Sequence, residues 1–470
     1  MFRNNSLKID PLINSNLQEL LKEININIDV DENLSDTQKT AFELFKNGQN
    51  LLILGAGGCG KSHLIKIFKE YNDNLKKIMH VTSTTGISAY SIKGVTINSL
   101  FGIGTGEMEI GALIKKVYRK KMYRERIINT DILVIDEISM LSGELFEKLD
   151  IICQSIRRNK VFFGGIQIVF TGDLLQLLPV FNKNKSLYTD MDERLIIESP
   201  VFNKVFTKDN IIVLLENFRQ KNDITFISLL NRIRNGTFTD DDINILNSRK
   251  INNESKIESI VHLVSSNKKA QLINESQLDK LKTPKVKYIS TYTSSGKDKD
   301  IKELLMKELQ FQFTQKGINE LVLKKGCRVM LIKNLDVSRG LVNGALGTIK
   351  SFVQDQSTGQ QIPVVLFDNN NKNCIEEIIP CVSWELEINN CKGVASQIPL
   401  MLAYSVTIHK SQSLSLDSAV LDLDDCWCDA QVYVALSRLC SLDGLYLKSF
   451  NPAKIKINKK MKDYLNNLEL

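Results

Sequence analysis

The sequence predicts an α/β architecture of two units, each a mostly parallel sheet between helices, with a small all-β module set into the second. Three observations predict it. Short apolar runs at residues 51–54, 80–82, 132–135, 168–170 and 211–215 alternate with helical patterns, as in a parallel sheet covered on both faces. A weaker version of the pattern returns at 261–264, 419–423 and 444–450. Between its parts, over roughly 321–387, the texture changes to short strand-like runs at 327–333, 347–352, 363–367 and 375–379. Turns such as Val342-Asn343-Gly344 separate them, which reads as a small barrel or sandwich.

In chain order, residues 1–34 are a polar, Asn-rich lead-in. Ser35 then reads as an N-cap and 37–47 as the helix before the first strand. That strand runs into Gly55, and Gly60-Lys61-Ser62 completes the pattern G-x-x-x-x-G-K-S/T. Strand, glycine loop and helix in succession are the context in which this pattern cradles phosphate. Gly55, Gly57, Gly58 and Gly60, with Cys59 among them, let several backbone N–H groups converge on anionic oxygens. Lys61 is placed to reach the β and γ phosphates and Ser62 to ligate magnesium. The start of the next helix adds its positive end. The stretch points to a bound nucleoside triphosphate with Mg as cofactor.

Two further strand ends carry chemistry. The run 132–135 ends in Asp136-Glu137, where Asp136 is placed to hold magnesium and Glu137 to deprotonate an attacking water. The segment Thr171-Gly172-Asp173-Leu174-Leu175-Gln176 puts Gln176 where it can feel the γ phosphate. Arg219 and Arg438 lie far off in sequence. A guanidinium aimed at the γ phosphate is worth about 10³–10⁵ in hydrolysis rate. If both come from the second unit, nucleotide would close the cleft between the units.

Composition bounds the rest. At 470 residues there is room for about three domains. Hydrophobic content of 43% and charge content of 24% are those of a chain with sizeable cores, which excludes a disordered or collagen-like class. The net charge of +7 permits a polyanionic partner without singling one out. Nine cysteines without a C-x-x-C pair argue against a zinc ribbon and for free thiols in a reducing, intracellular compartment. No apolar run approaches the roughly 18 residues of a membrane span, so no membrane partner is expected.

Taken together, the segments resemble the petite-integration-frequency (Pif-type) DNA helicases of superfamily 1B. The resemblance rests on LSDTQKTAF around Gln38, GAGGCGKS, TTGISAYSIKGVTINSLFGIG (84–104), DEISML, FFGGIQIVFTGDLLQLLPV and ENFRQ. It continues through VMLIKNL with LVNGALG, TIHKSQSLSLD and YVALSRLCSLDGL, spanning about 34–450. The resemblance implies two RecA-like P-loop NTPase domains with a small β-barrel inserted in the second. On that division, 35–198 form the first domain, with an accessory insertion near 101–124. Residues 199–320 and 399–470 form the second, and 321–398 the barrel.

It further implies that Gln38 reads adenine, that Lys61, Ser62, Asp136, Glu137 and Gln176 take the roles given above, and that the second domain presents Arg219 and Arg438. The segments 84–104 and 407–412 would touch single-stranded DNA, with Thr84, Thr96, Asn98, Thr407, His409, Lys410 and Ser411 as contacts. A hydroxyl, a cation and a peptide N–H suit phosphate gripping without base readout. The partners implied are single-stranded and forked DNA, bound by a monomer moving 5′ to 3′. Two positions depart from the family pattern: Ser413 stands where glycine is usual, and Leu178-Pro179 where two prolines are. The alternatives kept open are a DNA-stimulated clamp that separates no strands and a small-molecule kinase.

Other features carry less. Lys115–Arg126 packs seven basic residues around Tyr118 and Tyr123 and reads equally as a DNA-facing helix or a solvated face. His63 is expected to pack its helix. Trp384 and Trp427 read as residues of the core or the barrel surface, with stacking on bases as the alternative. The polar stretch 282–300 is expected to be a surface loop.

Overall fold

The computed structural model describes residues 34–468, apart from 86–87, 90–91, 93, 180–192, 221, 252–259, 298, 317, 337, 342–344, 357–358, 369–374, 389–390 and 413. The lead-in before Leu34 and the Ser413 departure thus lie outside the described residues.

The first sheet holds six parallel strands in the order β3-β2-β4-β5-β1-β6. These are β1 (Leu51–Gly55), β2 (Met79–Ser83), β3 (Val95–Thr96), β4 (Ile132–Asp136), β5 (Gln167–Gly172) and β6 (Ile211–Leu214). β1 and β4 are buried along their whole length because helices cover both faces. On one face, the helix Asp36–Lys46 is started by Ser35, whose hydroxyl accepts from Gln38 N (3.3 Å) while Gln38 Oε1 accepts from Ser35 N (3.1 Å). Its apolar side turns Phe45 onto Phe68 of the helix Lys61–Leu75, with ring centroids 4.1 Å apart. On the other face the helix Gly143–Arg157 buries Phe146 among Phe162, Phe163, Phe170 and Phe202. Each fully buried ring contributes on the order of 1.5–3 kcal/mol.

The intervening strands are antiparallel. β8 (Lys285–Ile289) pairs with β10 (Glu320–Lys324), and β9 (Thr291–Ser295) joins β15 (Val382–Ile388) and β16 (Cys391–Gln397) in a sheet of three. A sheet of five has the order β14-β13-β12-β11-β17, formed by β11 (Arg328–Leu331), β12 (Leu346–Gln354), β13 (Gln361–Phe367), β14 (Ile375–Ile378) and β17 (Leu400–Leu402). The second parallel sheet has the order β18-β7-β19-β20, from β7 (His262–Val264), β18 (Ser405–Thr407), β19 (Ala419–Asp422) and β20 (Leu445–Ser449). Helices Ile224–Asn235 and Gln431–Leu436 pack their apolar faces onto it.

Several expectations change. The region 321–398 forms no closed barrel among the described residues; its strands fall into three separate sheets. The expected loop at 282–300 contains β8 and β9, whose mostly exposed polar residues mask their pairing; only Tyr288 of β8 is buried. Residues after 198 do not begin the second unit, because β6 pairs with β1 and Phe202, Phe206 and Ile211 sit in the first core. The end of the chain also returns there. The helix Lys459–Asn467 buries Met461 in the first core, sets Tyr464 6.3 Å from Phe202, and pairs Lys460 with Glu198. Lys115–Arg126 is not one helix but two, Ile110–Arg119 and Lys121–Asn129, broken at Lys120, with Arg124 laid over Tyr118 and Arg126 over Tyr123.

Candidate active site

At the carboxyl end of β1 the chain turns through Gly57, Gly58, Cys59 and Gly60 into the helix Lys61–Leu75. Gly60 has a φ of 85°, which side-chain-bearing residues rarely adopt. A Cβ on Gly55 would lie 2.4 Å from Cys59 Sγ, so the strand end tolerates no side chain. Lys61 Nζ folds back and donates to the carbonyls of Gly55 (2.7 Å) and Ala56 (2.9 Å). The loop borders a cavity of about 210 Å³ lined by residues 57–63, Ser88, Asp136, Glu137, Gln176, Arg219 and Arg438. Ser62 and His63 are exposed on it, so His63 faces the cavity and does not pack its helix. Gln38 is buried beside Gly60; its Nε2 has no hydrogen-bond partner among the described residues and points an open donor at the loop.

The carboxylates leave β4 on this cavity. Asp136 Oδ1 accepts from Thr171 Oγ1 (2.5 Å) and Oδ2 from Ser88 Oγ (2.8 Å). Burial, and then the nearby Glu137, push its carboxyl up to about 6. Glu137 takes a φ of 58°, a strained turn for a non-glycine residue, and its Oε2 accepts from Gln412 Nε2 at 3.1 Å. Because Asp136 is easier to ionise unfolded than folded, its contribution favours the fold below about pH 4 and is lost as pH rises through about 6. Asp136→Asn is therefore expected to melt higher than the parent chain at pH 7.5 without nucleotide, with the gap closing toward pH 4. Thermal melts at a series of pH values check this, and a constant gap would refute it.

The arginines arrive from two places. Arg438, fully buried after the helix Gln431–Leu436, donates Nε to Val434 O (2.9 Å) and Nη2 to Ser437 Oγ (2.8 Å). Burial, and then the Arg219 guanidinium, hold it down to about 10. Arg219 follows β6 of the first sheet, whereas the resemblance implied that the second domain presents it; its Nη1 reaches across to Ser437 O (2.9 Å). A Cβ on Gly57 would meet Arg219 Nη1 and Arg438 Nη2 at 3.5 Å each and Gln176 Nε2 at 3.6 Å. Thus two guanidinium groups and one side-chain amide ring the glycine loop. Gln176 also donates to Asp173 Oδ2 (3.3 Å).

Three residues of this site went unassigned in the sequence. Asp173 is fully buried and bonded by Arg234, with Nη2 at 2.6 Å. Burial alone would raise its carboxyl, but the Arg234 guanidinium outweighs it and holds the group below the usual range. Tyr433 donates to Asp173 Oδ2 (3.4 Å) and accepts from Gly57 N (3.3 Å). Arg234 and Tyr433 stand on helices of the second sheet, Asp173 at the end of β5. The quoted TGD and YVALSR segments contained Asp173 and Tyr433, but nothing in them showed that the two meet. The donor set fits magnesium and a polyphosphate. Lys61, Arg219 and Arg438 crowd like charges into one cavity, an arrangement that an anion relieves, and the Asp136 carboxyl and Ser62, which line the same cavity, offer oxygen ligands that suit a divalent cation.

The expected DNA contacts divide. Thr84 Oγ1 donates to Glu137 O (3.1 Å), and Thr407 caps the short helix Ile408–Ser411. Thr96 caps Ile97–Phe101, and Asn98 donates to Gly104 O (2.7 Å). His409 lies on Trp427, and Lys410 Nζ contacts Met401 Sδ (3.1 Å) beside a cavity of about 440 Å³ that Thr407 also lines. Ser411 is fully buried with its hydroxyl on Ile408 O (2.8 Å), so it packs the turn and presents nothing to a ligand. Trp384 is half-covered by Phe313 and Lys333, but Trp427 is exposed, contrary to expectation.

A family model for PIF1-like helicase matches residues 33–244, and one for the DNA helicase Pif1 2B domain matches 311–352. The ATP-dependent DNA helicase PIF1 of Danio rerio is 33% identical over 433 residues, covering 92% of this chain and 63% of that one. The chain spans 61–63% of the length of such curated relatives. The crystal structure of Pif1 helicase from Candida albicans superposes with a TM-score of 0.80 at 31% identity, covering 93% of this chain and 99% of that one. A Bacteroides Pif1 helicase in complex with ADP-AlF3 and ssDNA gives a TM-score of 0.72 at 26% identity, covering 93% and 98%. The two parallel sheets are the RecA-like P-loop NTPase domains of these proteins. The chain belongs to the PIF1-like helicase family.

Proposed function

We propose that the chain is an ATP-dependent DNA helicase that moves 5′ to 3′ on single-stranded DNA and unwinds duplex ahead of it. The observation that carries this reading is the single cavity in which Lys61, Asp136, Glu137 and Gln176 of one sheet face Arg438 of the other. The family membership and the ADP-AlF3 and ssDNA complex of the Bacteroides relative support it.

In this mechanism Gln38 Nε2 reads the adenine edge, and Lys61 leaves the loop carbonyls for the β and γ phosphates. Ser62 and Asp136 would hold magnesium, which would supply charge neutralisation when bound. Glu137 orients the attacking water and accepts its proton. Gln176 orders that water through the γ oxygens, and Arg219 and Arg438 stabilise the charge that develops on them. Thr84 and Gln412 touch Glu137 from the two expected DNA segments, which lets the state of the strand reach the catalytic carboxylate. Thr96, Asn98, Thr407, His409 and Lys410 complete the grip on single-stranded and forked DNA. One chain acts at a time, although a relative has been solved as two coordinating Pif1 helicases at forked dsDNA.

Duplexes carrying a 5′ or a 3′ single-stranded tail test the reading. Strand release on the 5′-tailed duplex alone, dependent on ATP and Mg, is the expected result. Turnover stimulated by DNA without strand release would make the chain a clamp instead, and turnover indifferent to DNA would remove the nucleic-acid function.

A further inference from the structure

We propose that Trp427 is a stacking platform for one base of the single strand, at the carboxyl edge of the second parallel sheet. The inference rests on the DNA-binding reading above and adds a contact that neither the motifs nor the comparisons assign.

Trp427 keeps 56% of its surface in solvent; a single exposed aromatic is ordinary, and it is the support beneath this one that carries the inference. One face is backed by the His409 imidazole, with ring centroids 5.9 Å apart and planes 20° from parallel. Burial lowers the His409 pKa, so the ring beneath the indole is a neutral, flat support. The loop that carries the indole is fixed from inside. Gln431 Oε1 accepts from Trp427 N (3.0 Å) and Cys428 N (3.5 Å), while Gln431 Nε2 donates to Ser265 O (3.2 Å). Cys428 Sγ adds a contact to His409 Nε2 at 3.9 Å. The platform is thus formed before any ligand arrives, and stacking need not order the loop.

Its position fits a strand of nucleic acid. Ser265 follows β7, His409 follows β18 and Trp427 follows β19, three neighbouring parallel strands whose carboxyl ends are where open α/β sheets bind ligands. Lys410 adjoins His409, and Lys456 lies against the loop through its carbonyl, which accepts from Ala430 N (2.8 Å). Of the carboxylates around the loop, Asp422, Asp424, Asp425 and Asp429, two are ion-paired. Asp422 and Asp425 both bind Lys269 (2.7 and 2.8 Å), and Asp429 accepts from Asn458 (3.1 Å). An exposed indole backed on one face by an imidazole matches sequence-tolerant base stacking and not base readout.

The chain has only two tryptophans, so Trp384→Phe leaves Trp427 as the sole indole. Titrating that variant with oligo(dT) should quench its emission in step with the anisotropy of the labelled strand. An oligomer with abasic sites along its length should bind without the quench. In the parent background Trp427→Ala should weaken oligo(dT) binding roughly 5- to 100-fold, Trp427→Phe should recover most of it, and the salt dependence of binding should keep its slope because no phosphate contact is lost. Should Trp384→Phe misfold, the parent chain serves, with the quench lost in Trp427→Ala. Binding without quenching, or unchanged affinity in Trp427→Ala, overturns the platform alone. A parent chain that binds no oligo(dT) overturns the DNA reading with it.

Discussion

Lys61→Ala is expected to reduce ATP hydrolysis by at least about 10³-fold while the chain stays folded. Without nucleotide the ammonium satisfies the carbonyls of Gly55 and Ala56, touches Cys59 Sγ and favours the charged forms of Asp136 and Asp173. Both carbonyls lie next to an open cavity, where water replaces it, so the cost to stability is on the order of 1 kcal/mol. The chemistry has no such substitute, because a water cannot carry a positive charge to the phosphates. Steady-state turnover beside a thermal melt checks the pair of outcomes, and a folded variant with normal turnover would remove the assignment.

The second large effect concerns Arg438. Its replacement by alanine is expected to lower hydrolysis by on the order of 10³–10⁵ and DNA affinity far less. The buried guanidinium is repelled by Arg219, so its loss relieves a like-charge contact that offsets part of the cavity left behind. Turnover and filter binding on one preparation separate the two effects. Equal losses in both would place Arg438 in the DNA grip and not at the phosphates.

What could be foreseen followed from how local each feature is. The loop from Gly55 to Ser62, the Asp136-Glu137 strand end and the strands of both parallel sheets, except the two-residue β3 and three-residue β18, are written in consecutive residues, where apolar runs and glycine spacing speak directly. The antiparallel strands β8 and β9 were hidden because their outward residues are polar and their partners lie tens of residues away. The same is true of the Asp173, Arg234 and Tyr433 cluster, which exists only once the two sheets face one another. Ser411 failed as a ligand contact for a local reason. A hydroxyl in the last turn of a short helix can satisfy a carbonyl three residues back, and here it does. Arg219 is assigned to the second domain by the resemblance alone, although the run 211–215 reads with the first set of strands, and β6 is indeed the edge of the first sheet.

The return of the last helix to the first core bears on how the lobes move. The polypeptide crosses between them once after β6 and again after β20, and the second crossing is anchored by Met461 and Tyr464. Two anchored crossings act like paired pins on a door. In the proposed cycle they would leave one rotation free and oppose twisting or sliding, so each closure would retrace the same arc and carry the His409 and Trp427 edge along a fixed track relative to Thr84.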